Sequence, residues 1–584
     1  QASGLSTTVA LTQAVALPAG EPTAVLTISW LVWPDGPGAG DGLTLGVYDL
    51  DGALQAPLLA LDAGAPAGAW QTQGFDLAAF AGQTVQLAFR ATTADTAFFV
   101  DDVQIVTDGP LAVDEFRALW ADAYHPGVKS RQQIDEMVET ARAGGLNALV
   151  VQVRRRGNTY YPSALDPWAS DADPGFDALA YLVERAHAAG LEVHAWATTL
   201  AIWNLDTPPD APSHAFNLHG PGATGRDYWL MTNDSGREDA GGIYYLDPGH
   251  PDVVDYTVAI YEELARNYDL DGVQMDHVRY PGQNWGYNPL SLARFQARTG
   301  RDDVPDPADL EWQQWRRDQV TGLVRKVYLA VTAIDPGLRV SAATSATYLP
   351  PDAAHPWETR EPYSQHFQDW RAWLEEGIVD LALPMIYRND TVDAAQFDGW
   401  STWARDHQYG RGVVLGTGLF LNPLAGSVDQ WQRARLPSGL GNRALGLAGY
   451  SYARPSNEGN SGRQLANAAI AGVFDRSAAV PALPWKDAPT LGHLSGRLVQ
   501  ALPCVDVDGL ALQLTGPQSR SLVADGSGWF GTVDLPPGDY EVSGEAGPGR
   551  VVSAPVTITA GLVTRVQVPL PSCAGHKIYL PLLR

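Results

Sequence analysis

Cysteine is nearly absent from this chain of 584 residues: only Cys504 and Cys573 occur, both near its C-terminal end. That scarcity excludes a disulfide-dense scaffold. Lying 69 residues apart around one compact segment, the two thiols read as a single disulfide bracing it. No Cys-x-x-Cys or His-Glu-x-x-His spacing occurs, so zinc hydrolysis lacks its ligands. A Gly-x-Ser-x-Gly elbow is missing too. Basic residues are few, 39 Lys and Arg against 66 Asp and Glu, for a formal charge of -27. Such a field disfavours nucleic acid and anionic membranes as partners, and an acidic substrate as well unless a local basic cleft overrides it. No apolar run approaches the length of about 18 residues that spans a bilayer. The chain opens at Gln1 with neither Met nor a basic-apolar leader, as expected of a processed secreted or cell-surface protein.

What is present is strand and turn signal at both ends, with a long alternating centre. Residues 1–110 carry alternating or β-branched runs such as Ala24 to Trp30 and Phe98 to Val106, separated by Gly, Pro and Asp turns. They predict a β-sandwich, and the run from Phe98 resembles the last strand of jelly-roll modules attached to glycosidases. Trp30, Trp33 and Trp70 are either sandwich core or sugar-stacking surface. Asp101 and Asp102 are the candidate ligands of a structural Ca2+, although two adjacent carboxylates are too few to define a site; no other cofactor is expected.

Residues 115–476 alternate apolar strands with amphipathic helices eight times. The strands are 116–122, 148–153, 191–196, 273–275, 338–343, 379–387, 413–417 and 445–450. Eight such pairs predict a closed α/β barrel of the (β/α)8, or TIM, type. The open doubly wound alternative lacks its Gly-rich loop after the first strand. A Pro-rich linker is expected over 477–490 and a second β-sandwich over 491–570, followed by a tail over 571–584. Within that sandwich, Gly528-Trp-Phe530 and Leu535-Pro-Pro-Gly-Asp-Tyr-Glu-Val542 resemble carboxypeptidase-regulatory-like modules.

Polar groups at strand ends converge on the C-terminal face of a barrel. Here they are Asp122 after strand one, Arg154 after strand two, and His194 and Trp196 on strand three. Asp276, His277, Arg279 and Tyr280 follow on strand four, Tyr387 on strand six and Tyr450 on strand eight. Carboxylates among Trp and Tyr suit carbohydrate, because aromatic faces stack on sugar C–H surfaces while charged groups bond hydroxyls. Cleaving a glycosidic bond needs two carboxyl groups. Asp276 is the candidate for the ionised one. Asp390 ranks first as its partner and Glu358 second, with Asp122, Glu361 and Glu458 also placed to serve.

Four stretches in order carry a family resemblance: Leu149-Val-Val-Gln-Val-Arg154 with Gly157-Asn-Thr-Tyr-Tyr-Pro-Ser163, Gly190-Leu-Glu-Val-His-Ala-Trp196, Asp271-Gly-Val-Gln-Met-Asp-His-Val-Arg-Tyr-Pro281, and Trp373 to Tyr387. The barrel resembles the glycosylhydrolase-like family 10. That resemblance implies a TIM barrel and glycosidase activity, with the strand-four aspartate at Asp276. Two departures stand out: His277 occupies a position where many relatives carry a second acid, and strand three continues Trp196-Ala-Thr-Thr where relatives have Trp-Ile-Asn-Pro. Substrate specificity is therefore not carried over. The expectation is a secreted glycoside hydrolase acting on a polysaccharide or glycan. The alternatives are a non-catalytic carbohydrate-binding or cell-envelope protein and, third, a barrel deacetylase or lyase.

Overall fold

The computed structural model describes residues 7–17, 23–34, 41–62, 71–93, 96–108, 114–205, 207–474, 478–500, 505–547 and 549–570. It divides into two units, residues 1–113 and 114–584. Cys504, Cys573, Trp70 and the C-terminal tail lie outside the described residues, as do the side chains of Trp33, Asp101 and Asp102.

In the first unit, a sheet of Thr7–Ala16, Thr84–Thr93, Gly42–Tyr48 and Leu54–Asp62 is accompanied by one of Gln71–Asp76, Thr23–Pro34 and Thr96–Asp108. Leu26, Ile28, Leu45, Val47, Leu87 and Phe89 form a shared core. Trp30 is buried in that core, which leaves it no face for a sugar.

The second unit is built on eight parallel strands: β1 (Phe116–Ala121), β2 (Ala148–Arg155), β3 (Glu192–Thr198), β4 (Gly272–Asp276), β5 (Arg339–Ser345), β6 (Leu381–Ile386), β7 (Gly412–Gly418) and β8 (Gly446–Tyr450). They pair in chain order, and β8 pairs β1, so the sheet closes into a TIM barrel. Helices cover its outside. A helix not expected from the sequence, Leu424–Ala434, lies between β7 and β8 and buries Trp431. The stretch between β3 and the helix Pro251–Asn267 contributes a small hairpin, Ala201–Trp203 with Tyr244–Tyr245. Among the described residues no helix is long and apolar enough to cross a membrane.

Alternation along the strands sorts the side chains. On β4, Val273 and Met275 join the large core between strands and helices. The opposite parity fills the barrel: Phe116, Trp120, Val150, Trp196, Leu383 and Ala448 pack together there. Leu483 enters this inner cluster from the segment expected to be a linker. That segment is a plug at the barrel's base rather than a spacer. Trp485 Nε1 donates to Asp380 Oδ1 (2.7 Å), and Lys486 Nζ lies 3.2 Å from Asp380 Oδ2.

The C-terminal sandwich has one sheet of Trp529–Leu535, Gly492–Val499 and Val563–Pro569 and a second of Arg520–Val523, Ala511–Thr515, Gly538–Glu545 and Val551–Ile558. Val551–Ile558 alternates buried and exposed residues, and the sheets close over a separate core that includes Leu494, Leu512, Phe530 and Ile558. Ion pairs Arg411–Asp534 (2.6 Å) and Lys326–Asp525 (3.0 Å) fasten it to the barrel.

Two predictions follow from this packing. The Lys486 ammonium is 3% exposed and Asp380 is fully buried. Asp380→Ala removes that cation's carboxylate partner, and breaking such a pair costs about 3–5 kcal/mol. Urea unfolding checks it, and a loss under about 1 kcal/mol would contradict the plug. The second prediction concerns pH. Burial lowers His214, His250, His277, His366 and His493 from 6.5 to about 4. His250 Nδ1 also accepts the Asp252 N–H as a helix cap, which requires a neutral ring. Between those values the unfolded chain binds more protons, so the stability these rings contribute is present above pH 6.5 and is lost as pH falls toward 4. His250→Asn keeps a cap but removes the titration. It should flatten the fall of the urea midpoint across this window by up to about 1.4 kcal/mol per pH unit. An unchanged slope would contradict a neutral His250.

Candidate active site

The inward parity of β4 delivers Gln274 and then Asp276 to the C-terminal mouth of the barrel. Asp276 is 6% exposed. Its Oδ2 accepts from Trp196 Nε1 (3.1 Å) and its Oδ1 from the His277 backbone N–H (2.7 Å). Arg279 Nη1 stands 4.0 Å from Oδ1. Beneath lies a polar layer that fixes the aromatic groups: Trp120 Nε1 donates to Gln274 Oε1 (2.7 Å), and Gln152 bridges Thr198 Oγ1 and the Ala123 N–H (both 3.0 Å).

Tyr387 and Tyr450 stack with centroids 5.5 Å apart, and Trp120 meets both edge-on. With Trp196, set 6.3 Å from Tyr450, they make an aromatic floor beside the carboxylate. Burial raises the Tyr124 and Tyr450 phenols, so both stay protonated donors near neutral pH. Burial also holds the His277 imidazole neutral, with a pKa of about 4; its Nδ1 lies 3.1 Å from the Tyr245 hydroxyl.

The central cavity, about 200 Å³, is lined by Asp276, His277, Arg156, Arg279 and this floor. A second cavity of about 660 Å³ adjoins it through Arg279, Met385 and Tyr387 and reaches Trp285 and the Arg237–Asp239 pair. A third, about 650 Å³, adjoins it on another side through Tyr124 and Arg156 and reaches Trp168 and Trp203. The three form one trough with Asp276 near its middle. Two non-glycine residues of the trough, Arg156 (φ 53°) and His277 (φ 51°), adopt left-handed backbone, and such strain gathers at functional sites.

Of the residues expected from sequence, Asp276, Trp196, His277, Arg279, Tyr387 and Tyr450 line the central cavity. Asp122 lies just behind it, 2% exposed. Its Oδ1 accepts from the Tyr124 and His125 N–H groups and pairs with His125 Nδ1 (2.7 Å), while the Tyr450 phenol lies against the carboxylate.

The others point elsewhere. Arg154 is fully buried and paired with Asp166 at 2.6 Å, because a register shift against β3 sets it opposite outward-facing Ala197. His194 sits deep in the barrel against Phe116, so close to Gly272 that a Cβ there would meet its ring at 2.2 Å. Tyr280 is buried against Phe367. Asp390 is held by Arg433 (2.6 Å) at the start of a helix, Glu358 is an exposed partner of Arg371 (3.3 Å), and neither lines the trough. Glu458 caps the Leu424 N–H. Sequence reading passed over Trp120, Gln274 and Tyr245, and took Arg154 rather than its neighbour Arg156 as the binding residue after β2. Trp120 and Gln274 share the parity of Asp276 and were findable by it; Tyr245 arrives on the hairpin and carried no such signal. Among the described residues no group of three or more His, Cys, Asp or Glu is placed to hold a metal ion.

Comparison with known proteins gives the trough its context. The chain is 25% identical over 375 residues to the glycosyl hydrolase YngK of Bacillus subtilis, covering 62% of this chain and 70% of that protein. It is 27% identical over 304 residues to the glycosyl hydrolase DigH of Escherichia coli, covering 48% and 63%. Among solved structures, the glycoside hydrolase domain of PgaB (BpsB) from Bordetella bronchiseptica aligns with 63% of this chain and 100% of its own, at 16% identity and a TM-score of 0.43. The sequence profile described as Glycosyl hydrolase-like 10 matches residues 115–430, from the start of the barrel past β7 and including every residue of the central cavity except Tyr450. The chain belongs to the glycosyl hydrolase-like 10 family.

Proposed function

We propose that the trough is the substrate cleft of a glycoside hydrolase acting on a glycan chain, with Asp276 as the carboxylate at the scissile bond. The observation that carries this is the setting of Asp276, the single carboxylate lining the central cavity, fixed by two N–H donors beside four aromatic rings. Sugar rings present C–H faces that pack on such a floor, and the protonated Tyr124 and Tyr450 phenols are donors for their hydroxyls.

Glycosidic cleavage divides its work between two carboxyl groups, one protonating the departing oxygen and one attacking carbon or activating water. Asp122 is the companion that the geometry favours over Asp390 and Glu358. It is buried at the end of β1, and both it and Asp276 act on the same two tyrosines. Cavities on both sides of Asp276 fit a chain running through the site, and hence internal cleavage. The two β-sandwiches and the strongly acidic chain suit action outside the cell, on a polysaccharide or at the envelope.

Asp276→Asn should lower kcat/KM by about 10²–10⁴ in a reducing-end assay across a glycan panel while leaving glycan binding measurable. Asp122→Asn should also lower it. Products of mixed length are expected from the wild type. Full activity in folded Asp276→Asn would overturn the assignment, and release of single sugars alone would overturn internal cleavage. Binding without hydrolysis in the wild type would favour the non-catalytic reading, and acetate or unsaturated ends a deacetylase or lyase.

A further inference from the structure

Charge in the cleft departs from charge on the chain. With acids outnumbering bases, most arginines near the trough are neutralised: Arg237 by Asp239 (2.7 Å), Arg155 by Asp171 (3.1 Å) and Arg154 by Asp166 (2.6 Å). Two that line the central cavity each keep a buried guanidinium nitrogen without a hydrogen-bond partner. Arg156 forms no ion pair among the described residues, and its Nη1 is buried without a hydrogen-bond partner. Arg279 Nη1 is likewise buried and unpartnered, since 4.0 Å to Asp276 exceeds hydrogen-bonding distance.

The backbone that carries both arginines is fixed. Arg156 follows β2 in a left-handed turn completed by Gly157 (φ 75°), where a Cβ would meet His214 Nε2 at 2.6 Å. The Arg156 carbonyl accepts from that same His214 nitrogen (3.0 Å), whose other ring nitrogen already accepts the Phe216 N–H. Arg279 stands between left-handed His277 and Pro281. His277 and Tyr245, hydrogen-bonded to each other, feel both guanidiniums and add no charge of their own. A desolvated guanidinium N–H with no acceptor is costly, and an anionic acceptor supplied by a ligand satisfies it with a charge-assisted bond.

Building on the glycan-cleft reading above, we infer that Arg156 and Arg279 form an anion-recognising pair that selects glycans bearing a charged substituent, a uronic carboxylate or a sulfate ester, on the sugars next to Asp276. The pair sets specificity: Arg156 reaches from the central cavity toward the Trp168–Trp203 side and Arg279 toward the Trp285 side, so each guards one direction of the chain.

The test uses full-length Asp276→Asn, which binds without turnover, titrated with two matched pairs: oligogalacturonate beside its carboxyl-reduced form, and a sulfated galactan oligomer beside its unsulfated form. The acidic member of at least one pair should bind at least about tenfold tighter. That preference should fade between about 50 and 500 mM salt. Adding Arg156→Met or Arg279→Met should remove most of it, leaving the neutral member within about twofold. Melting temperatures guard against misfolding: a buried guanidinium nitrogen with no hydrogen-bond partner in the free protein predicts an unchanged or higher Tm in each Met variant. Equal binding within both pairs, no binding by either acidic member, or a preference that survives both substitutions would overturn the proposal. A lowered Tm would overturn it too, by revealing a structural partner. Anionic preference with a hydrolytically silent wild type would sink the hydrolase reading alone. Cleavage of neutral glycans as fast as of their acidic counterparts, and lost in Asp276→Asn, would sink this one alone.

Discussion

The closed parallel barrel imposes one constraint on which the whole site depends: a strand residue faces either the helices or the barrel interior, and its parity decides which. On β4 this sends Val273 and Met275 into the helix-facing core and Gln274 and Asp276 inward. In-register pairing of β3 with β4 places Trp196 beside Gln274 and Thr198 beside Asp276, which brings the Trp196 N–H within reach of the carboxylate. Slippage by one residue would turn Asp276 into the helix layer and empty the mouth. The apolar outward face, buried against the helices, pins that register more firmly than any polar contact at the rim.

The site is consequently made of layers. Hydrophobic packing and the Leu483 plug close the barrel from below. Gln152, Gln274 and Thr198 then orient the indoles, and the indoles and tyrosines in turn hold a floor around Asp276. Groups carried on rigid strand ends and backed by hydrogen-bonded neighbours are positioned before any ligand arrives. The loops above, including the hairpin that brings Tyr245, widen this mouth into a trough.

Much of this was legible in the sequence. The eightfold alternation and strand ends gave the barrel and Asp276, because hydrophobic periodicity responds to burial that is the same in every such fold. Strand ends moved by only a few residues. The candidates that strayed did so for identifiable reasons. Arg154 looked like a rim residue until a register irregularity between β2 and β3 turned it outward, an event that no local pattern announces. Asp390 stood just past β6 as expected, yet it belongs to a helix start and is taken up by Arg433, 43 residues further along. Pairings across such distances decide which carboxylates remain free for chemistry, and periodicity carries no information about them. The Pro-rich segment read as a linker because composition cannot show that Leu483 and Trp485 have a barrel base to fill.

The central claim is that glycan bonds are broken where Asp276 meets the aromatic floor. A crystal structure of the Asp276→Asn protein soaked with an oligosaccharide that the wild type cleaves tests it most directly. The account predicts a sugar chain lying along the trough, with its scissile oxygen within hydrogen-bonding reach of residue 276 or Asp122 and a ring packed on Tyr387, Tyr450 or Trp196. A chain bound elsewhere on the barrel, with the central cavity empty, would contradict it.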